Sequence, residues 1–324
     1  MDTVPKPSAA IDTQQKKPIW VYYAALAFVV LFWGLSSVVY SWFYRYYSAA
    51  VLSSIMTFFS AIFFLLLGRK KLKFLNRKYL KIALPICLLN ALANVLQRIG
   101  LQYTTPANYA FFEHLSCVVV PVMMFVFVRK KITLLHAAAG ICCLTGCFIL
   151  CGVGIGSGAA LLGIGDALCI IAGVLIGVCV AAIGAYIRDL DTVLFMVLYM
   201  ISYFLVSFLM TISLHHIRID GIPMEQAVFA ANLPLLLLVI LLGLVDIAVC
   251  WLLRTEAIRH TDPVTVATVS PFSAVITGIV SVLAGIDRFS FRLVFGGGLI
   301  MIAVVLPEII NGRKLRQQQV LKTD

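Results

Sequence analysis

Charge is what this chain has least of. Of its 324 residues only 12% are Asp, Glu, Lys or Arg, against 62% that are hydrophobic. That shortage excludes a soluble domain, whose water-facing surface needs far more charge. Strands of about ten residues with alternating polarity are also missing, which removes a transmembrane β-barrel. No Walker sequence is present, so ATP has no site from which to drive anything. The nine cysteines fall in or beside apolar runs, with no Cys-x-x-Cys pair and no His cluster. Neither a zinc site nor an extracellular disulfide framework is expected from that pattern.

What is there is long apolar sequence, with a mean hydropathy of +1.04. Ten runs are long enough for a bilayer core, which takes about 20 helical residues. They cover roughly 19–40, 47–67, 79–97, 106–128, 134–152, 164–187, 192–213, 233–253, 263–285 and 291–311, numbered here as spans 1 to 10. The expected class is therefore an all-α integral membrane protein with ten transmembrane helices.

Basic residues set the orientation. With the N-terminus inside, the inner segments carry 20 of the 25 Lys and Arg and the outer ones carry Arg45, Arg98, Arg218, Arg288 and Arg292. Such a bias across short loops predicts a multi-pass protein with both termini cytoplasmic. It also accounts for the net charge of +11, which reads as retention beside an anionic inner leaflet and not as nucleic-acid binding. Residues 1–18 form a polar cytoplasmic tail without a signal pattern, and 312–324 a basic, mobile one. The basic inner loops and uncleaved first span fit a bacterial inner membrane.

The chain also matches itself. Shifting residues 100–150 by 157 positions lays Leu101 on Ile258, Thr104 on Thr261, Pro106 on Pro263, Ala110 on Ala267, Ser116 on Ser273, Val118 on Val275 and Gly140 on Gly297. Spans 4–5 then correspond to spans 9–10, giving two five-helix repeats, 19–152 and 164–311. The Gly-rich loop 153–163 joins them as a flexible hinge. Five is odd, so the second repeat is inverted, as in many secondary transporters.

Local motifs point to a family. Phe32-Trp33-Gly34 resembles the aromatic-Trp-Gly signature that opens an EamA-type repeat. Leu101-Gln102-Tyr103-Thr104-Thr105-Pro106-Ala107 resembles that family's Ala-Leu-x-Tyr-Thr-Ser-Ala element, and Ala257-Ile258-Arg259-His260-Thr261-Asp262-Pro263 its second copy. Ser270-Pro271-Phe272-Ser273 and Gly285-Ile286-Asp287 are similar to its Ser-Pro segment and Gly-Glu turn. In the first repeat Cys117 and Val128-Arg129-Lys130 depart from the usual Pro and Gly-Glu. The resemblance, to the EamA branch of the drug/metabolite transporter superfamily, implies a ten-span carrier. Such carriers are often exporters of amino acids, other metabolites or drugs.

Ionisable groups inside spans are costly and mark candidate sites. Glu113 and His114 lie in span 4 and Asp246 in span 8. Each is either a hydrogen-bonded packing residue, with Arg98 or Arg254 as partner, or part of a substrate or coupling site. Burial in low dielectric favours the neutral form of a carboxyl group, so Glu113 is the candidate for proton exchange or for pairing with a substrate amine. Tyr109 and Ser116, at i−4 and i+3, share its face. Asn90, Asn94 and Gln97 form one stripe on span 3, and Asp246, Cys250 and Arg254 form the corresponding stripe on span 8. They serve either a shared cavity or interhelical packing. Trp33, within span 1 and outside the interfacial belt, either lines the path or packs beside Gly34. Tyr103 and His260 are candidates for the cavity mouths. Asp166 is expected to cap span 6.

The expected function is a secondary transporter that moves a small organic metabolite such as an amino acid or amine. The expected partners are that solute, the lipid bilayer and protons, with no cofactor, metal, catalytic residue or nucleic acid. A monomer and a homodimer are both open. The alternatives are an intramembrane enzyme acting on lipid-linked substrates and a non-transporting receptor.

Overall fold

In the computed structural model the described residues are 18–104, 106–129, 133–151, 163–219, 222–223, 228–229, 232–283 and 290–320. The N-terminal tail, most of the Gly-rich loop and Gly285-Ile286-Asp287 lie outside them. The helices are α1 (Ile19–Phe43), α2 (Ala49–Gly68), α3 (Arg77–Gly100), α4 (Pro106–Glu113), α5 (Ser116–Val128), α6 (Leu134–Cys151), α7 (Ile164–Tyr186), α8 (Thr192–His216), α9 (Leu233–Gly243), α10 (Cys250–His260), α11 (Pro263–Val269), α12 (Phe272–Leu283) and α13 (Phe291–Val320). The remaining regular elements are short helical turns and a two-stranded hairpin, Arg218–Ile219 with Ile222–Pro223.

Eight helical stretches among the described residues are long and apolar enough to cross a membrane. Two shorter apolar helices, Ala137–Ile149 and Phe291–Val305, fall on spans 5 and 10. This is an all-α, multi-pass membrane protein. Its outward surface is correspondingly apolar: Leu134, Leu283, Phe291 and Trp20 are each more than 60% exposed, as side chains facing lipid can be.

Among the described residues three spans depart from regular α-helix. Span 4 breaks between α4 and α5 at His114-Leu115. Span 9 breaks between α11 and α12, where Pro271 has no N–H to give the Ala267 carbonyl. That stranded acceptor receives the Cys117 thiol at 3.1 Å. Span 8 runs unbroken from α9 to α10, but through a widened π turn at Leu244–Val249, a feature often found at functional sites. At the far end α13 continues as helix to Val320, so the basic segment expected as a mobile tail is helical through that residue.

Packing pairs the helices across the molecule. α2 lies on α8, α6 on α13, α3 on both α7 and α8, α5 on α7, and α1 against α10 and α12. Small residues permit the closest crossings. A Cβ on Gly177 would stand 2.6 Å from Val119 Cβ, and one on Gly34 2.7 Å from Ile276 Cβ. Asp166 caps α7 as expected, accepting from the Gly163 N–H at 3.2 Å.

Overpacking at such a crossing costs about 1–3 kcal/mol. Gly177→Ala should therefore lower the thermal midpoint of the detergent-solubilised protein. Gly298→Ala, where a Cβ meets nothing within 4 Å, should leave it in place. Equal midpoints for the two variants would contradict this packing.

Candidate functional site

Asp246 sits in the π turn and is 4% exposed. A buried carboxylate needs hydrogen bonds and a counter-charge, and this one has both. Ser36 Oγ donates to Oδ1 at 2.7 Å, and the Tyr40 hydroxyl donates to Oδ2. Arg98 Nη2 stands 3.8 Å from Oδ2. The guanidinium also donates through Nη2 to the Tyr40 oxygen at 3.2 Å and through Nε to the Tyr203 oxygen at 3.1 Å. It lies over the Tyr40 ring, 4.4 Å from the centroid. One network thus joins α1, α3, α8 and the α9–α10 span.

Arg254 lies eight residues further along the same span, about 12 Å by helical rise. It is 4% exposed and sits against a pair of touching indoles, 5.3 Å from the Trp33 centroid and 5.0 Å from that of Trp251, which are 5.8 Å from each other. Trp251 also packs on Tyr199 at 5.0 Å. Trp33 ties the two levels together, because its Nε1 donates to the Asp246 backbone carbonyl at 3.4 Å. The two arginines differ in one respect. Among the described residues Arg254 has no carboxylate within 4.0 Å, and its buried Nε has no hydrogen-bond partner.

Glu113 ends α4 at the break in span 4 and is half-buried. Its electrostatic neighbours are Arg254 first, then Arg98 and Asp246. The Gln97 amide lies toward its carboxylate, with Nε2 short of hydrogen-bond geometry. Tyr109 couples to Glu113 electrostatically. Ser116 Oγ, however, donates to the Glu113 backbone carbonyl at 3.4 Å. His114 is buried in the break itself.

Of the residues expected from sequence, Trp33, Glu113, Asp246 and Gln97 are thus brought into one polar region, with Tyr109 and His114 beside it. Asn94 turns back along its own helix, Nδ2 donating to the Asn90 carbonyl at 2.8 Å and lying 3.3 Å from Asn90 Oδ1. His260 lies apart, stacked on Tyr22 at 4.3 Å with Nδ1 3.3 Å from Glu256. Two cysteines of α6 serve packing: Cys142 donates to the Leu299 carbonyl and Cys143 to the Thr268 carbonyl, each at 3.5 Å. Among the described residues no three His, Cys, Asp or Glu converge as metal ligands do.

Ser36, Tyr40, Tyr199 and Tyr203 carry much of the site and are absent from the sequence expectations. Arg98 and Arg254 require a correction. Counting them as loop cations is wrong, since both are inside the bundle; without them the inner-to-outer tally is 19 against 4. The bias survives the change. A signal existed, because Arg98 directly follows the Asn90–Gln97 stripe and Arg254 closes that of Asp246.

Residues 19–152 match the EamA-like transporter family. That family belongs to the drug/metabolite transporter superfamily. The matched stretch supplies Trp33, Ser36, Tyr40, Arg98 and Glu113, while Tyr199, Tyr203, Asp246 and Arg254 come from beyond it. No curated protein matches the chain. A solved structure, titled only as the crystal structure of a protein, superposes with a TM-score of 0.72 over 91% of this chain and 98% of its own. At 14% identity it establishes a shared fold and nothing about substrate.

Removing one member of a buried ion pair costs about 3–5 kcal/mol, because its partner is left uncompensated. Asp246→Leu should destabilise the protein on that scale. Asp246→Leu with Arg98→Met should recover a substantial part. Additive midpoints in a double-mutant cycle would show that the two groups do not interact.

Proposed function

We propose that this protein is a secondary transporter. It exports a small organic metabolite, such as an amino acid or amine, across the inner membrane by alternating access, with both termini cytoplasmic. The observation that carries this reading is the position of Glu113, an acidic group at the break of a discontinuous helix inside an apolar bundle. Transporters build substrate and ion sites at such breaks, where backbone groups are released from the helix ladder.

The helix contacts support two inverted halves, 19–152 and 164–311, with ten spans between them. Exchanging span 1 with 6, 2 with 7, and so on leaves the pattern unchanged: α1 against α12 becomes α7 against α5, and α1 against α10 becomes α7 against α3. α2 on α8 and α6 on α13 map onto themselves. Two atomic crossings follow the same exchange, with partners 157 residues apart and glycines 143 apart. Gly34 meets Ser273 and Ile276, while Gly177 meets Ser116 and Val119, the residues 157 earlier. Cys142 donates to the carbonyl of Leu299, its own counterpart, at 3.5 Å. The break in span 4 likewise falls within one residue of the shifted break in span 9.

In this reading α4 and α11 rock against a frame made by the self-paired helices. The Arg98–Asp246 network is structural, and Glu113 is the group that takes up a proton or the substrate's ammonium. Protonated, it is neutral and releases a cation; ionised, it binds one. Exchange with one side and then the other couples flux to the proton gradient.

Purified protein in liposomes loaded with amino acids, amines, nucleosides and drugs should release one class faster than empty liposomes do, with a response to an imposed pH gradient. Glu113→Gln should cut that efflux at least about tenfold, the scale of one charged hydrogen bond, and remove the gradient response. A Gln variant with unchanged flux and pH dependence would refute the role of Glu113. Folded protein that moves none of the solutes would refute transport.

A further inference from the structure

We infer that the solute carries a carboxylate and that Arg254 receives it. This rests on the transporter reading and narrows its substrate class. The starting point is an imbalance of hydrogen bonds. Among the described residues six buried side-chain atoms have no partner, and four of them are Arg254 Nε, Tyr199 Oη, Asn90 Nδ2 and Gln97 Nε2. All four can donate. Each residue is more than nine-tenths buried. Asn90 cannot be turned round to cure its deficit, because Oδ1 already faces the Asn94 amide.

These donors are not scattered. α3 and α8 run parallel, with Cys87 against the Phe195 carbonyl at 3.8 Å and Arg98 bonded to Tyr203. The intervening turn brings Asn90 to the level of Tyr199. Tyr199 packs on Trp251, which also meets Trp33 and the Arg254 guanidinium. Tyr199 and Glu113 are the leading electrostatic partners of Arg254. Leaving a buried donor unsatisfied costs about 1–3 kcal/mol, and more for a charged one. A group of them near a guanidinium that, among the described residues, has no carboxylate within 4.0 Å is a site that an acceptor-only ligand completes.

A carboxylate is the acceptor that fits. It is planar, matches the guanidinium fork and takes several donors at once. The indoles of Trp33 and Trp251 hold the fork in place and present apolar walls to the rest of the solute. A phosphate dianion would bring a second negative charge beside Glu113, whereas a carboxylate brings one. A solute with an ammonium alone would meet Arg254 as a like charge.

The test is binding to full-length protein in nanodiscs, so it does not require transport. The probes are the twenty amino acids and a set of apolar monocarboxylates including 3-phenylpropanoate and octanoate. Each is compared with its primary amide, and with phenethylamine and inorganic phosphate. At least one acid should bind, its amide at least about 30-fold more weakly, with phenethylamine and phosphate not competing. Arg254→Gln should abolish the preference for acid over amide. Tyr199→Phe, a milder change, should weaken the acid alone. An amide that binds as well as its acid, preferential binding of phenethylamine or phosphate, or no binding by any carboxylate would each overturn the proposal. Binding of an acid without flux in liposomes would leave Arg254 as its receptor and refute transport instead.

Discussion

An ionised group inside an apolar bundle must be compensated on the spot, and the centre of this protein is organised by that requirement. Asp246 and Arg98 come from helices far apart in sequence, and neither could be buried alone. Their hydroxyl partners, Ser36, Tyr40 and Tyr203, occupy two further helices. Apolar side chains fit many rotations of one helix on another, because lipid and leucine are equally good neighbours. A carboxylate with hydroxyls from α1 and an arginine from α3 fits one. The network therefore fixes the rotation and depth of four helices whose composition alone would leave them free to slip.

Backbone groups follow the same accounting. Each helix break strands donors and acceptors that lipid cannot satisfy. The Ala267 carbonyl, freed by Pro271, is met by Cys117, and the Asp246 carbonyl, in the π turn, by the Trp33 indole. At these two places a facing helix supplies the partner, while the amides at the span 4 break turn to carbonyls three residues back. The need for a facing partner confines those two places to the interior, beside the polar side chains, and makes them elements that can change partners when the helices move.

The fold class was legible because its signal is length: no other structure accommodates apolar runs of this size. The expected boundaries agree with the helices where the run is regular, as in α7, and fail to show the irregularities in spans 4 and 8, where Glu113-His114 and Asp246 interrupt the apolar run without a proline to mark a change of backbone. Only Pro271 marks its break openly. For the site, Glu113 and Asp246 stood out by charge against an apolar background. Tyr40, Tyr199 and Tyr203 could not, since a tyrosine in a membrane span is most often a packing residue and only its hydroxyl's neighbours make it polar. Arg98 and Arg254 were misplaced for a related reason: near a span end, an arginine in a loop and an arginine folded inward have the same sequence.

The proposed correspondence between halves sharpens the role of what is left uncompensated. Under the 157-residue shift Gln97 matches Arg254 and Glu113 matches Ser270. The scaffold is near-symmetric, but its charges are not. A symmetric pair of sites would give the solute two equivalent places to rest, one nearer each face, and no preference between them. Here α10 carries the cation and α4 the acid, and their counterparts are neutral. The proposed site then joins an anion receptor on one half to a cation receptor on the other. In the proposed cycle the rocking of α4 against the frame changes the distance between Glu113 and Arg254, so the two groups compensate each other when close and require a ligand when apart. Conformational change and ligand binding are thereby the same electrostatic event, as alternating access demands.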